Sequence, residues 1–173
     1  VFGTSGPRIR PRLFAGWTLD ENLCQSNDMI SSAYANGVPM GADLMPSDTP
    51  GKPKFLAYAV KDPDGQKLQA LHLVKGWIDS QGKMNTQVIP VSEDTSGADS
   101  LCRVYTDNNF NPSQSAYYYL RAVEPKTPRW HTYDCASLSE SDRPTVCSDG
   151  SYPETIQEMA WTSPIWYKGN QKL

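Results

Sequence analysis

Three apolar segments separated by turn chemistry, between residues 54 and 91, constrain this chain more than anything else in it. KFLAYAVK runs into DPDG, where proline takes the second position of a turn, and LQALHLVKGWID follows. Gln81 and Gly82 then turn the chain into KMNTQVIPV. Connections this short join neighbouring strands antiparallel, so the pattern predicts a three-stranded meander. Leu71, Leu73 and Val74 fall on both faces of the middle segment, which predicts burial on both sides.

The flanking segments follow the same strand-sized spacing. In the stretch from Ile9 to Trp17, Ile9, Leu13 and Trp17 share one face, while Arg8, Arg10 and Arg12 share the other. Pro11 cannot donate a ladder hydrogen bond, which predicts an edge position. SNDMISSAYANG reads as a short helix capped by Ser26 or Asn27 and ended by Gly37 and Pro39, with Met29, Ile30, Ala33 and Tyr34 as its apolar face. GVPMGADLMPSDTPGKP and SEDTSGADS read as loops, and LCRVYTD and AYYYLRAVE as two further strands. From Pro125 onward the chain reads as irregular and rich in tryptophan, ending in MAWTSPIWYK, where Pro164 marks an edge or an extended tail. With 14 Pro and 12 Gly spread along 173 residues, many short strands are favoured over long helices. The expected fold is mainly β: one antiparallel β-sandwich-like domain over residues 1–173, with one short helix and a long irregular C-terminal segment.

A net charge of -3 provides no polyanion-binding footprint, and no apolar run reaches the length of a membrane span. The four cysteines, Cys24, Cys102, Cys135 and Cys147, form no CxxC pair, and only His72 and His131 could join them around zinc. Four free thiols and two disulfides both remain open, with three possible pairings. Cys135 and Cys147 flank the polar segment ASLSESDRPTV, where a bridge would restrain an otherwise loose excursion, which leaves Cys24 and Cys102 as the second pair. Either bridge would place the protein outside the reducing cytoplasm, in an extracytoplasmic compartment.

Chemistry-bearing motifs are sparse. Asp107, Asn109 and Asn111 alternate as in the first half of a calcium loop, but Pro112 and Tyr118 occupy the positions where such a loop needs glycine and glutamate. The segment reads as a turn built on Asx side chains. His131 and Asp134 lie close together without a GxSxG elbow to supply a nucleophile. His72 sits mid-strand in an apolar run. The arginine row is either an anion clamp or a solvated strand face. Lys75, at the end of a buried strand, must reach solvent, pair with an acid or line a cleft, and Trp77 follows it closely. Trp77, Trp130, Trp161 and Trp166 are either stacking platforms or core.

TSGPRIRPRLFAGW, AYANGVPMGADL, KDPDGQKLQALHLVKGWID, AYYYLRAVEPKTPRW and IQEMAWTSPIWY together resemble the C-terminal part of a bacterial family, domain of unknown function 3604. The resemblance implies a longer architecture whose N-terminal region is similar to PHP-type metallohydrolases and binds a divalent metal through a His-x-His motif. It therefore implies a non-catalytic domain that packs on that N-terminal metal domain and walls its cleft, holding no cofactor or metal of its own. The opening stretch VFGTSGPRIRPRLFAGW would be the crossing between the two. Arg8, Arg10, Asp43, Lys75 and Trp77 are then the expected substrate or interdomain contacts: an arginine to orient an anionic substrate, and Asp43 to pair with a loop lysine or arginine. Family members resemble exported or lipid-anchored proteins, in keeping with disulfides. The alternative expectation is an exported carbohydrate- or small-ligand-binding module that uses exposed tryptophans.

Overall fold

The computed structural model describes residues 1–48 and 51–169. Its strands are β1 (Phe2–Thr4), β2 (Arg10–Gly16), β3 (Val38–Pro39), β4 (Asp43–Leu44), β5 (Lys54–Val60), β6 (Leu68–Ile78), β7 (Met84–Ala98), β8 (Ser100–Thr106), β9 (Ala116–Pro128), β10 (Thr155–Thr162) and β11 (Ile165–Tyr167). Two helices accompany them, α1 (Met29–Asn36) and α2 (Trp130–Ser137). The strands form two sheets. The larger has seven strands: β7 pairs β6, β6 pairs β9, and the far side of β9 is shared by β10, which carries β1, and β11, which carries β4. The smaller has the order β3-β2-β5-β8. Nearly all pairings are antiparallel, and the fold is the expected β-sandwich-like one.

Three expectations need correcting. β6 and β7 form the predicted hairpin, with Gly82 at φ +79 in the turn and the Asp79 carboxylate accepting from the amides of Gln81 and Lys83. β5, however, belongs to the other sheet, between β2 and β8. DPDG is therefore a crossing between layers. The Asp62 carboxylate accepts from the backbone and guanidinium of Arg8 and from the amide of Asp64, and the Lys61 ammonium donates to the carbonyls of Asp62, Pro63 and Gly65. These side-chain bonds take up the turn's polar groups, and no strand-to-strand ladder forms across it.

The SEDTSGADS segment is also strand. β7 runs through it to Ala98, accommodated by register shifts against β6, and a bulged strand of polar residues carries no clean alternation to read. The C-terminal segment read as irregular contains α2, β10 and β11. The second helix has no side-chain cap and no buried residue, and it is held by the Cys135–Cys147 bridge and a hydrogen bond from Thr132 Oγ1 to the Glu154 carbonyl. Pro11 lies where β3 does not reach, since β3 pairs only with Phe14 and Ala15, so the edge reading of Pro11 holds for that half of β2.

The main core fills the space between the sheets, with Ile9, Leu13, Phe55 and Ala57 facing Leu71, Leu73, Tyr118 and Leu120. A second apolar cluster of Phe14, Leu19, Leu23, Ala33 and Leu56 lies on the outer side of the smaller sheet, and α1 contributes Ala33 to it. Cys24 and Cys102 are bridged beside this cluster, and no cysteine is free. The smaller sheet is thus covered on both faces.

Candidate functional site

The outer face of the larger sheet has no such cover. Strand alternation sends Tyr118, Leu120 and Ala122 of β9 into the core and turns Tyr117, Tyr119 and Arg121 outward. Register places Gly76 opposite Tyr117, Val74 opposite Tyr119 and His72 opposite Arg121. On the other side of β9, Trp166 faces Tyr117 and Trp161 faces Arg121. β7 adds Met84 and Val88, so this face carries aromatic and aliphatic side chains beside Thr86 and the His72–Arg121 pair. Trp166 is 47% exposed and Met84 70%, in residue types that folding normally buries.

The aromatic side chains are ordered by contact. Tyr117 and Tyr119 stack at 6.5 Å with an interplanar angle of 12°, and the Tyr117 and Trp166 rings lie 5.5 Å apart. Gly76 permits this: a Cβ there would lie 2.2 Å from Tyr117 Cζ, so the absent side chain is the seat of the ring. A shallow groove of about 360 Å³ runs along this seat, between Ile78, Met84, Tyr117 and Trp166. At the middle of the face, Arg121 Nη2 lies 3.3 Å from His72 Nδ1, while Arg121 Nε is buried without a hydrogen-bond partner. Burial, with the Arg121 charge behind it, lowers the His72 pKa and favours the neutral imidazole.

The residues singled out in the sequence do not converge. Arg8 is held by Asp62 and Asp64 at the β5–β6 crossing. Arg10 and Arg12 are exposed on the outer side of the smaller sheet, away from the aromatic face. Asp43 lies at the rim of that face, opposite Trp166 in register and 3.0 Å from Lys168 Nζ. Lys75 points between the sheets, 5% exposed and 2.6 Å from Asp107 Oδ2. Its ammonium also lies 5.7 Å from the half-buried ring of Trp77. Asp107 Oδ1 accepts from the Asn109 amide, the expected turn built on an Asx side chain, and Asn111 Oδ1 accepts from the Ser113 amide in a second one. Among the described residues, no three His, Cys, Asp or Glu side chains gather where they could hold a metal ion. His131 and Asp134 both line a separate cleft beside α2, along with Trp130.

Sequence reasoning missed the aromatic face as a unit. Its signal was the alternation in AYYYLRAVE, where adjacent tyrosines must point to opposite sides of the sheet.

Comparison with known proteins places these features in a family. The model of a protein family of unknown function, DUF3604, matches residues 1–95 and 91–169. The chain belongs to the DUF3604 family. No curated protein and no solved structure matches it.

Proposed function

We propose that this DUF3604 chain is a non-catalytic β-sandwich domain that packs, through the outer face of its larger sheet, on a PHP-like metal-dependent hydrolase domain of the same family architecture. The observation that carries this reading is the asymmetry of the sandwich. α1 and the Cys24–Cys102 bridge cover the smaller sheet, whereas on the larger one Trp166, Met84 and Val88 are exposed and Tyr117, Tyr119 and Trp161 half-buried. Exposed aromatic and aliphatic side chains with polar groups such as Asp43 and Lys168 at their rim are characteristic of interaction sites. β1 supports the same side: it is the edge strand of that sheet, and Gly3 lies opposite Trp161.

In this reading Asp43 and Trp166 form part of the contact, while Arg10 and Arg12 lie on the opposite layer and Lys75 works inside the sandwich. The two disulfides support an extracytoplasmic setting, and among the described residues no helix is long and apolar enough to cross a membrane. The test is association of this chain with a separately produced metallohydrolase-like domain of a DUF3604 protein. Saturable binding that is lost on Trp166→Asp supports the reading, and failure to associate at high micromolar concentration refutes it.

A further inference from the structure

The cleft beside α2 is built differently from the aromatic face. Arg129 immediately precedes the helix, Trp130 and His131 open it, Cys135 in its last turn is bridged to Cys147, and Tyr152 lies on the returning chain. These residues enclose about 470 Å³ of largely apolar space. Trp130 is 74% exposed and Tyr152 60%, so neither ring serves a core. His131 stands between them, its centroid 5.7 Å from Trp130 and 6.2 Å from Tyr152. The bridge joins two of the walls covalently, so the cleft keeps its shape without a ligand.

Arg129 supplies an independent observation. It lines the cleft, and none of the ion pairs among the described residues involves its guanidinium. The guanidinium is a permanent cation with forked donors, and a carboxylate or sulfate is the partner that suits it best. Asp134, also on the cleft wall, is an acceptor suited to hydroxyl groups.

From these residues we propose that the cleft binds an anionic pyranose, a sugar unit bearing a carboxylate or a sulfate. The apolar face of the ring stacks on Trp130, the anion pairs with Arg129, and a ring hydroxyl donates to Asp134. A neutral sugar would stack equally well but leave the Arg129 guanidinium without an anion. The cleft and the sheet face share no residue, so this site stands or falls separately from the docking surface.

The test is titration of the full chain, in moderate salt, with tetragalacturonate, a heparin-derived tetrasaccharide and maltotetraose. Tryptophan fluorescence and calorimetry are the readouts. At least one anionic sugar should bind saturably and about tenfold or more tighter than maltotetraose, and the better of the two tells carboxylate from sulfate. Arg129→Gln should remove that preference, while Trp130→Ala weakens all three sugars. Both side chains lie outside the core, and circular dichroism with thiol titration confirms that each variant keeps its fold and bridge. No saturable response to either anionic sugar, equal affinity for maltotetraose, or a preference that survives Arg129→Gln would overturn the proposal.

Discussion

The Lys75 ammonium and the Asp107 carboxylate meet at 2.6 Å between the two sheets. Lys75 belongs to β6 of the larger sheet, and Asp107 directly follows β8 of the smaller one, so the pair ties the layers together through the core. The same oxygen, Asp107 Oδ2, accepts from the Tyr118 hydroxyl at 2.7 Å, and Oδ1 accepts from the Asn109 amide. Burial, with the Asp107 charge behind it, pushes the Tyr118 phenol far above its ordinary range, so it remains a donor at every working pH. The carboxylate is therefore fully satisfied where an isolated charge would be untenable.

Removing one member leaves the other charge uncompensated. Lys75→Met and Asp107→Leu should each destabilise the chain by about 3–5 kcal/mol in urea denaturation, and the double variant by distinctly less than the sum. Additive losses would mean that the contact contributes nothing as a pair.

Glu124 and Asp62 should shape the pH dependence of stability in opposite senses. Glu124 is buried with Oε1 unpartnered, and burial first, then the charges of Glu158 and Asp62, raise its pKa above 4.5 despite Lys61. Its favourable contribution is present below 4.5 and is lost as pH rises through the folded value, so Glu124→Gln should flatten the neutral side of the curve. Hydrogen bonds from the Arg8 guanidinium and backbone hold the Asp62 pKa far below 3.8. Its contribution is present above 3.8 and lost as pH falls through the lowered value, so Asp62→Asn should flatten the acid side. Chemical denaturation across pH, one variant at a time, checks both signs.

The two bridges should differ in reach. Cys24 and Cys102 close a separation of 78 residues and join the cap of the smaller sheet to β8, and loop entropy assigns that bridge about 4.5 kcal/mol. Cys135 and Cys147 are 12 residues apart and close only the excursion around α2, where the same model gives about 3 kcal/mol. Paired Ser substitution should lower global stability in the first case. In the second it should raise amide exchange mainly around residues 130–152. Denatured, unreduced protein should show no reactive thiol.

Gly76→Val should displace the Tyr117 ring from its seat, at a cost of about 1–3 kcal/mol in stability. A variant as stable as the parent, with an unchanged tyrosine environment in near-ultraviolet dichroism, would contradict the packing described for the face.

The fold class was readable because it rests on local alternation, and the β6–β7 hairpin because glycine marks its turn. The assignment of β5 to the other layer was not readable. DPDG makes a good turn in either topology, and the pairing of β5 with β2 and β8 rests on partners distant in sequence. Lys75 was recognisable as a buried lysine in need of an acid, but no spacing rule singles out Asp107 from 19 acidic residues. Trp166 and Trp161 carried no sign in the sequence of which face they take, since burial on one side of a sheet depends on what the chain brings across it. Cys135–Cys147 was visible from the polar segment that it encloses; the cleft that it helps to shape was not.

The most direct test of the central claim is calorimetric titration of this chain into a DUF3604 metallohydrolase-like domain, repeated with Trp166→Asp. Micromolar association abolished by that single exposed substitution, with the chain's own thermal unfolding unchanged, is the expected result. Association that survives Trp166→Asp undiminished, or no association at all, would show that the aromatic face of the larger sheet is not where this domain docks.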